Sequence, residues 1–398
     1  MRSLLWGALP WALMAQAPPL TFNDLQHRAH RSLDQLKAEA LLAERQRALA
    51  GSQGLLREGP SLGVAAGPRT NPAAPTTSDQ SVEVDLPLFL GAGARRRLEV
   101  ALGEADPTLR HAAQVEADFR LRCAYLDAWQ AQERLRLREA DLATARSWLQ
   151  AARARLAAGA DPAFQVSLVE GEILKAQLDL EEAQRQRALT WGALRALADL
   201  PREPEALADP GAVAPVEAEV QPTLYAQGVL LRALALRSDL DQQTLRHQEA
   251  LATSRWSLRG SYGREGEDRI TKVGVAFRFT RPGEGQALRR ETAAHLATTR
   301  RELEIARVEL DARFQSTLQR LLAWPADPPA PDFDRALQAV GLRLEEGKER
   351  PSEALPIRRQ LLDAQMALLA RRHAHHILGA ELRALTEPEA RPHEGARP

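Results

Sequence analysis

Two periods organise the hydrophobic positions of this chain. Between Leu121 and Leu156 an apolar residue recurs at intervals of seven: Leu121, Ala128, Leu135, Leu142, Leu149, Leu156. A second row, three positions later, holds Ala124, Ala131, Ala145 and Ala152, with Arg138 interrupting it. A sustained repeat of seven draws helices into a left-handed supercoiled seam, and alanine along it permits close approach. The run carrying this repeat extends from about Ala94 to Ala158. As one helix, residues 94–157 would span roughly 95 Å at 1.5 Å per residue, a rod that no compact domain requires.

The second period is two. Val273, Val275, Phe277 and Phe279 alternate with Lys272, Gly274, Ala276 and Arg278, and Trp256, Leu258 and Tyr262 alternate with Ser257, Arg259 and Ser261. Earlier, Val82, Val84, Leu86 and Leu88 alternate with Glu83 and Asp85. These stretches predict two strand hairpins, over 61–89 and 256–279, each with one apolar face. The loop of the first is expected at 68–80 (PRTNPAAPTTSDQ) and that of the second at 264–269 (REGEDR). Such alternation suits a barrel wall between lipid and water, and equally a hairpin packed on a helix. Four strands cannot close a barrel around a water-filled lumen, so a barrel would need strands from several chains.

The pentapeptide RLAAG at 155–159 recurs as RLEEG at 343–347, in each case ending a helical run. Aligned at that offset, Leu174, Ala176 and Gln177 meet Leu362, Ala364 and Gln365, and LRAL at 194–197 meets LRAL at 382–385. Upstream the register drifts, and Tyr125 pairs best with Phe314. The chain therefore reads as a tandem duplication, with a first repeat over 18–200, a Pro-rich linker over 201–222 and a second repeat over 223–386. Each repeat has the order helix, hairpin, long helix, turn, returning helix. Opening helices are expected at about 23–56 and 223–254, turns at 159–166 and 347–355, and a polar tail over 387–398. WPADPPAPD, at 324–332, must break the second long helix. That break reads equally as an interruption beside the linker or as a local bulge.

Composition adds limits. Lys and Arg total 53 and so do Asp and Glu, so no net charge draws the chain to nucleic acid. The start, MRSLLWGALPWALMAQA, has a basic residue, a short apolar core and small residues, the layout of a secretory signal over 1–17. No later segment is long and apolar enough for a spanning helix. The single cysteine, Cys123, lies mid-helix and offers neither a disulfide nor an N-terminal lipid attachment site.

In this order of elements, and in LTFNDLQHRA, ALRSDL (235–240), PLFLGAGARRR (87–97) and the two RLxxG turns, the chain resembles the TolC-like outer membrane efflux proteins. The resemblance implies a mainly α protein with a transmembrane β-barrel: a homotrimeric channel in which each protomer gives four strands to a shared barrel and its coiled-coil helices to a periplasmic tunnel. It implies an outer-membrane location among lipid. It implies a passive role in tripartite efflux or type I secretion, with a periplasmic adaptor and an inner-membrane transporter as partners, and no cofactor. The turns would then be periplasmic tips, with Gly159, Ala160, Asp161, Gly347, Lys348, Glu349 and Arg350 as adaptor contacts. Glu353 matches an aperture-lining acid, although a solvated turn charge explains it equally well. Gln165, Glu349 and Pro356 depart from the residues the family commonly has at those places. Trp256, Leu258, Tyr262, Val273, Val275, Phe277 and Phe279 would face lipid.

No catalytic constellation is found. His373 and His376 lie one helical turn apart, but no carboxylate or thiol nearby completes a metal set, so they read as part of a polar helix face. GAGARRR and RPGEGQ lack the spacing and lysine of a nucleotide loop. The alternative function, a periplasmic adaptor or exported coiled-coil scaffold, fits poorly with a duplicated chain bearing paired amphipathic strands.

Overall fold

The computed structural model describes residues 19–26, 33–50, 61–71, 74–88, 92–200, 206–253, 256–265, 268–277, 284–324 and 332–389. The expected signal, Phe279, most of the 324–332 break, the start of the linker and the end of the tail lie outside the described residues. In chain order the first elements are α1 (Phe22–Gln26), α2 (Leu33–Ala50), β1 (Ser61–Asn71), β2 (Ala74–Pro87), α3 (Ala92–Ala157) and α4 (Ala163–Ala198). Then follow α5 (Gln221–Ala226), α6 (Val229–Thr253), β3 (Trp256–Glu265), β4 (Asp268–Phe277), α7 (Glu284–Leu322), α8 (Phe333–Glu345) and α9 (Pro351–Thr386).

The chain forms two compact units. One gathers residues within Met1–His30, Asp118–Pro215 and Ala323–Glu381; the other gathers Arg31–Ala117, Val216–Leu322 and Leu382–Pro398. Both halves of the sequence duplication contribute to each unit. A helix of 66 residues such as α3 is too long to be buried in one core, so packing divides the chain across the helices.

In the unit that holds the strands, a single sheet runs in the order β1-β2-β3-β4, all antiparallel. In both hairpins the strands run further into the expected loop than the sequence suggested. The expected loop 68–80 is mostly strand, because β1 runs on to Asn71 and β2 begins at Ala74. Pro68 and Pro75 are tolerated there because β1 is an edge strand, and β2 does not meet β3 until Gln80. Likewise Arg264 pairs with Arg269 and Glu265 with Asp268, within the expected loop 264–269.

The opening helix of the second repeat divides into α5 and α6 at Gly228. A Cβ at Gly228 would lie 2.7 Å from the Leu385 carbonyl oxygen and 3.0 Å from that of Tyr225. The break lets the Val229 amide donate to the Glu387 carbonyl at 2.8 Å, tying the end of α9 to the start of α6. Tyr225 stacks on Phe314 with centroids 4.2 Å apart and donates to Asp311 at 2.5 Å.

In the other unit, Leu121, Ala124, Ala128 and Trp129 of α3 pack with Leu25 of α1 and with Trp191, Leu194 and Ala198 of α4. The strand-like segment Leu20 pairs in parallel with Leu207. Tyr125 fastens both segments by donating to the carbonyls of Leu20 at 3.2 Å and Ala208 at 2.7 Å. Tyr125 and Phe314, equivalents in the duplication, are thus the buried aromatic anchors of different units. Arg138, the interruption in the alanine row, reaches Asp179 of α4 at 3.1 Å.

Gly228→Ala is expected to destabilise the protein by about 1–3 kcal/mol, the range for forcing an atom into a filled site. A thermal melt of the purified protein, read by circular dichroism, checks it.

Candidate functional site at the paired helix turns

Each RLxxG sequence ends its helix by the same geometry. At the first turn the Gly159 amide donates to the Leu156 carbonyl at 2.9 Å, and the Ala160 amide to that of Arg155 at 2.9 Å. At the second, Gly347 donates to Leu344 at 3.2 Å and Lys348 to Arg343 at 2.8 Å. This pair of bonds is the Schellman motif, which requires a left-handed residue just past the helix. Gly159 and Gly347 supply it with φ of 70° and 76°. The arginine of each pentapeptide then holds the acid six residues on. Arg155 clasps Asp161 by two bonds of 2.6 and 3.0 Å, and Arg343 reaches Glu349 at 3.1 Å.

The turns are joined to one another. The Arg155 guanidinium lies over Gly347, where a Cβ would come within 2.5 Å of Nη1. Gln165, on the first turn of α4 and 2% exposed, accepts from the Ser352 amide at 3.0 Å and donates to the Ser352 hydroxyl at 3.1 Å. It therefore caps the N-terminus of α9 from the other hairpin, satisfying a donor the helix leaves open. Glu353 completes that terminus by accepting from the Arg350 amide at 3.2 Å, the reciprocal half of a capping box. Beneath, Trp148, Ala152, Val166, Val169, Leu344, Ala354 and Leu355 form an apolar cluster.

Behind the cluster lies a buried charge network. Arg358, its side chain 4% exposed, meets Asp141 of α3 at 2.6 Å and Glu172 of α4 at 3.6 Å, and Arg359 also binds Glu172. Burial pushes the Asp141 carboxyl up against the opposing pull of Arg358, whereas bonding to Arg359 holds Glu172 below the usual range. Asp161 is held down by its bond to Arg155. Removing one member of such a group strands a buried charge, at a cost of about 3–5 kcal/mol.

Of the expected contacts, Gly159, Ala160, Gly347, Lys348, Arg350 and Glu353 are exposed, while Glu349 is half-buried and Asp161 buried. Sequence reasoning missed Arg155, Arg358 and the capping role of Gln165; only the Arg-to-acid spacing of six, shared by both turns, signalled the first. On the strands, Trp256, Tyr262, Val273, Val275 and Phe277 are exposed on one face of the sheet, and Leu258 is half-buried on it.

Residues 29–199 match the model of the outer membrane efflux protein family. That match covers most of the first repeat, less than half of the chain. No curated protein matches its sequence. Among solved structures it resembles the Campylobacter jejuni CmeC outer membrane channel, at 12% identity and a TM-score of 0.70, covering 97% of this chain and 93% of that one. It also resembles a membrane protein from Pseudomonas aeruginosa (20%, 0.66, 93% and 91%) and the Vibrio cholerae outer membrane protein VceC (17%, 0.65, 92% and 96%). These likenesses concern the fold.

His373, His375 and His376 have separate partners. His373 meets Asp127 at 2.8 Å, His375 stacks on Trp324 at 4.8 Å, and His376 is buried edge-on to Trp129. Among the described residues no group of three His, Cys, Asp or Glu could hold a metal ion, and no helix is long and apolar enough to cross a membrane. Burial, reinforced by nearby Arg372, lowers the His376 pKa to about 4.

Two outcomes are expected. Gln165→Leu strips two hydrogen bonds and leaves the Ser352 amide uncapped, lowering stability by about 1–3 kcal/mol and raising protease cleavage at both turns. His376 stays neutral when folded but binds a proton when unfolded, so stability falls as pH drops from about 6.5 towards 4. His376→Leu should flatten that slope in urea titrations run between those limits.

Proposed function

We propose that three copies of this chain assemble into one passive duct that carries material from a periplasmic adaptor and its inner-membrane transporter to the exterior. The observation that carries the reading is the sheet. It has one apolar, exposed face and ends on either side in a strand, β1 or β4, with a neighbour on one side only. Three sheets of four strands give twelve (3 × 4), enough for a barrel with an aqueous lumen. The exposed apolar stripe of α4, with Phe164, Leu168, Leu174, Leu178 and Leu189, supports a helical neighbour from another copy.

The paired turns are the periplasmic end of that duct. Gly159, Ala160, Gly347, Lys348 and Arg350 present exposed backbone and side chains to an adaptor. Asp161 and Glu349 act behind them, fixing the turns through Arg155 and Arg343. Glu353 is an exposed carboxylate on the first turn of α9, and three of them around the aperture would favour cations. The duct moves cargo without a chemical step, and the transporter sets what enters.

Detergent-extracted outer membranes should yield a particle with the mass of three mature chains that conducts ions in planar bilayers. Glu353→Ala should move its reversal potential in a salt gradient towards non-selectivity. An unchanged potential would remove Glu353 from the aperture, and a monomeric particle would overturn the duct.

A further inference from the structure

We propose that Arg138 and Arg358 hold a chloride-sized anion in a small cavity among α3, α4 and α9. The site stands apart from the duct reading, because one chain supplies all of it. The cavity has a volume of about 80 Å³ and adjoins the network of Arg358, Asp141 and Glu172. Organic ligands occupy about 300 Å³ or more, so this space suits an inorganic ion. Arg138 of α3 and Arg358 of α9 both line it, and α4 adds Glu172, Lys175 and Asp179.

Unpaired donors set the charge of the occupant. Arg358 Nη2 donates to Asp141, at 2.6 Å to the carboxylate and 3.3 Å to the carbonyl oxygen. Its Nε and Nη1 have no hydrogen-bond acceptor, although the side chain is only 4% exposed. Nη1 stands 3.6 Å from Glu172, close enough for an ion pair and too far for a hydrogen bond. Arg138 repeats the pattern: Nη1 meets Asp179 at 3.1 Å, while its buried Nε is bare. Every unpaired buried side-chain atom on this lining is therefore a donor. Leaving such groups bare is costly, the more so when they belong to a charged side chain.

An occupant that only accepts fits this lining better than water does. Water must also donate two hydrogens, and the carboxylates here are engaged. Asp141 is taken by Arg358, Asp179 by Arg138, and both oxygens of Glu172 by Arg359. A halide only accepts, and an arginine never loses the charge that attracts it. Arg138, Lys175, Arg358 and Arg359 balance Asp141, Glu172, Asp179 and Asp363 around the cavity. The occupant is then itself the excess charge, and the cost of burying it rises steeply with its magnitude. That favours a monovalent anion over sulfate or phosphate.

Crystals of the full-length protein grown in sodium bromide should show an anomalous peak in the cavity, within hydrogen-bonding reach of Nε of both arginines. In detergent solution, the melting temperature should rise as chloride replaces gluconate at constant ionic strength. Each tenfold increase in chloride beyond half-saturation should favour the folded state about tenfold. Arg138→Gln should lose both the peak and the chloride response. If that variant does not fold, the wild-type bromide map still decides. Water alone in the cavity, or bromide confined to the outer surface, overturns the site. A peak without chloride-dependent melting marks an adventitious ion only and overturns it equally. A variant that melts lower yet keeps the full chloride response has lost no more than the pair with Asp179, and that result removes Arg138 from the site.

Discussion

A sheet with two open edges cannot remain so in hydrocarbon, where every backbone N–H and C=O needs a partner within the protein. β1 and β4 each pair on one side only, and the faces between them are apolar on one side and charged on the other. In the proposed duct, closure with other copies satisfies the edges and gives both faces their solvent. The repeated pentapeptide belongs to the other unit, where each of two helical hairpins must reverse within a few residues.

The reversal is stiffened at several levels. Glycine in the left-handed region makes the Schellman turn possible, and an arginine-to-acid clasp across the turn fixes its outline. Gln165 and the network of Arg358, Asp141 and Glu172 then join one hairpin to the other. Buried ion pairs contribute little net stability because desolvation offsets the attraction, but they penalise every arrangement that separates the partners. The network thus specifies one register of α3, α4 and α9 near the turns. The apolar cluster around Trp148 supplies the burial that holds them there.

Much of this was legible in order and period. The seven-residue rows located α3, the two RLxxG copies located both turns, and the alternation at 256–279 located the second hairpin. The strands of the first hairpin were read too short because the prolines and serines of 68–80 look like loop. Edge position removes the objection to them, and edge position is not visible in a local pattern. The break at Gly228 was missed for a similar reason: nothing around LYAQGVLL announces that another backbone segment passes within van der Waals distance. Arg138 looked like a defect in an alanine row until Asp179 was found opposite it.

The sequence by itself determined which segments are helix or strand, that the pattern occurs twice, and which strand face is apolar. Those properties depend on residues close together in the chain, where propensity and period act directly. Only the tertiary structure decided that Gln165 caps α9, that Asp161 is buried rather than displayed, and that His373, His375 and His376 go to three different partners. Each of these outcomes depends on a residue far away in sequence. Whether a polar group is presented or buried follows from the helix packed against it, and a one-dimensional pattern carries no record of that neighbour.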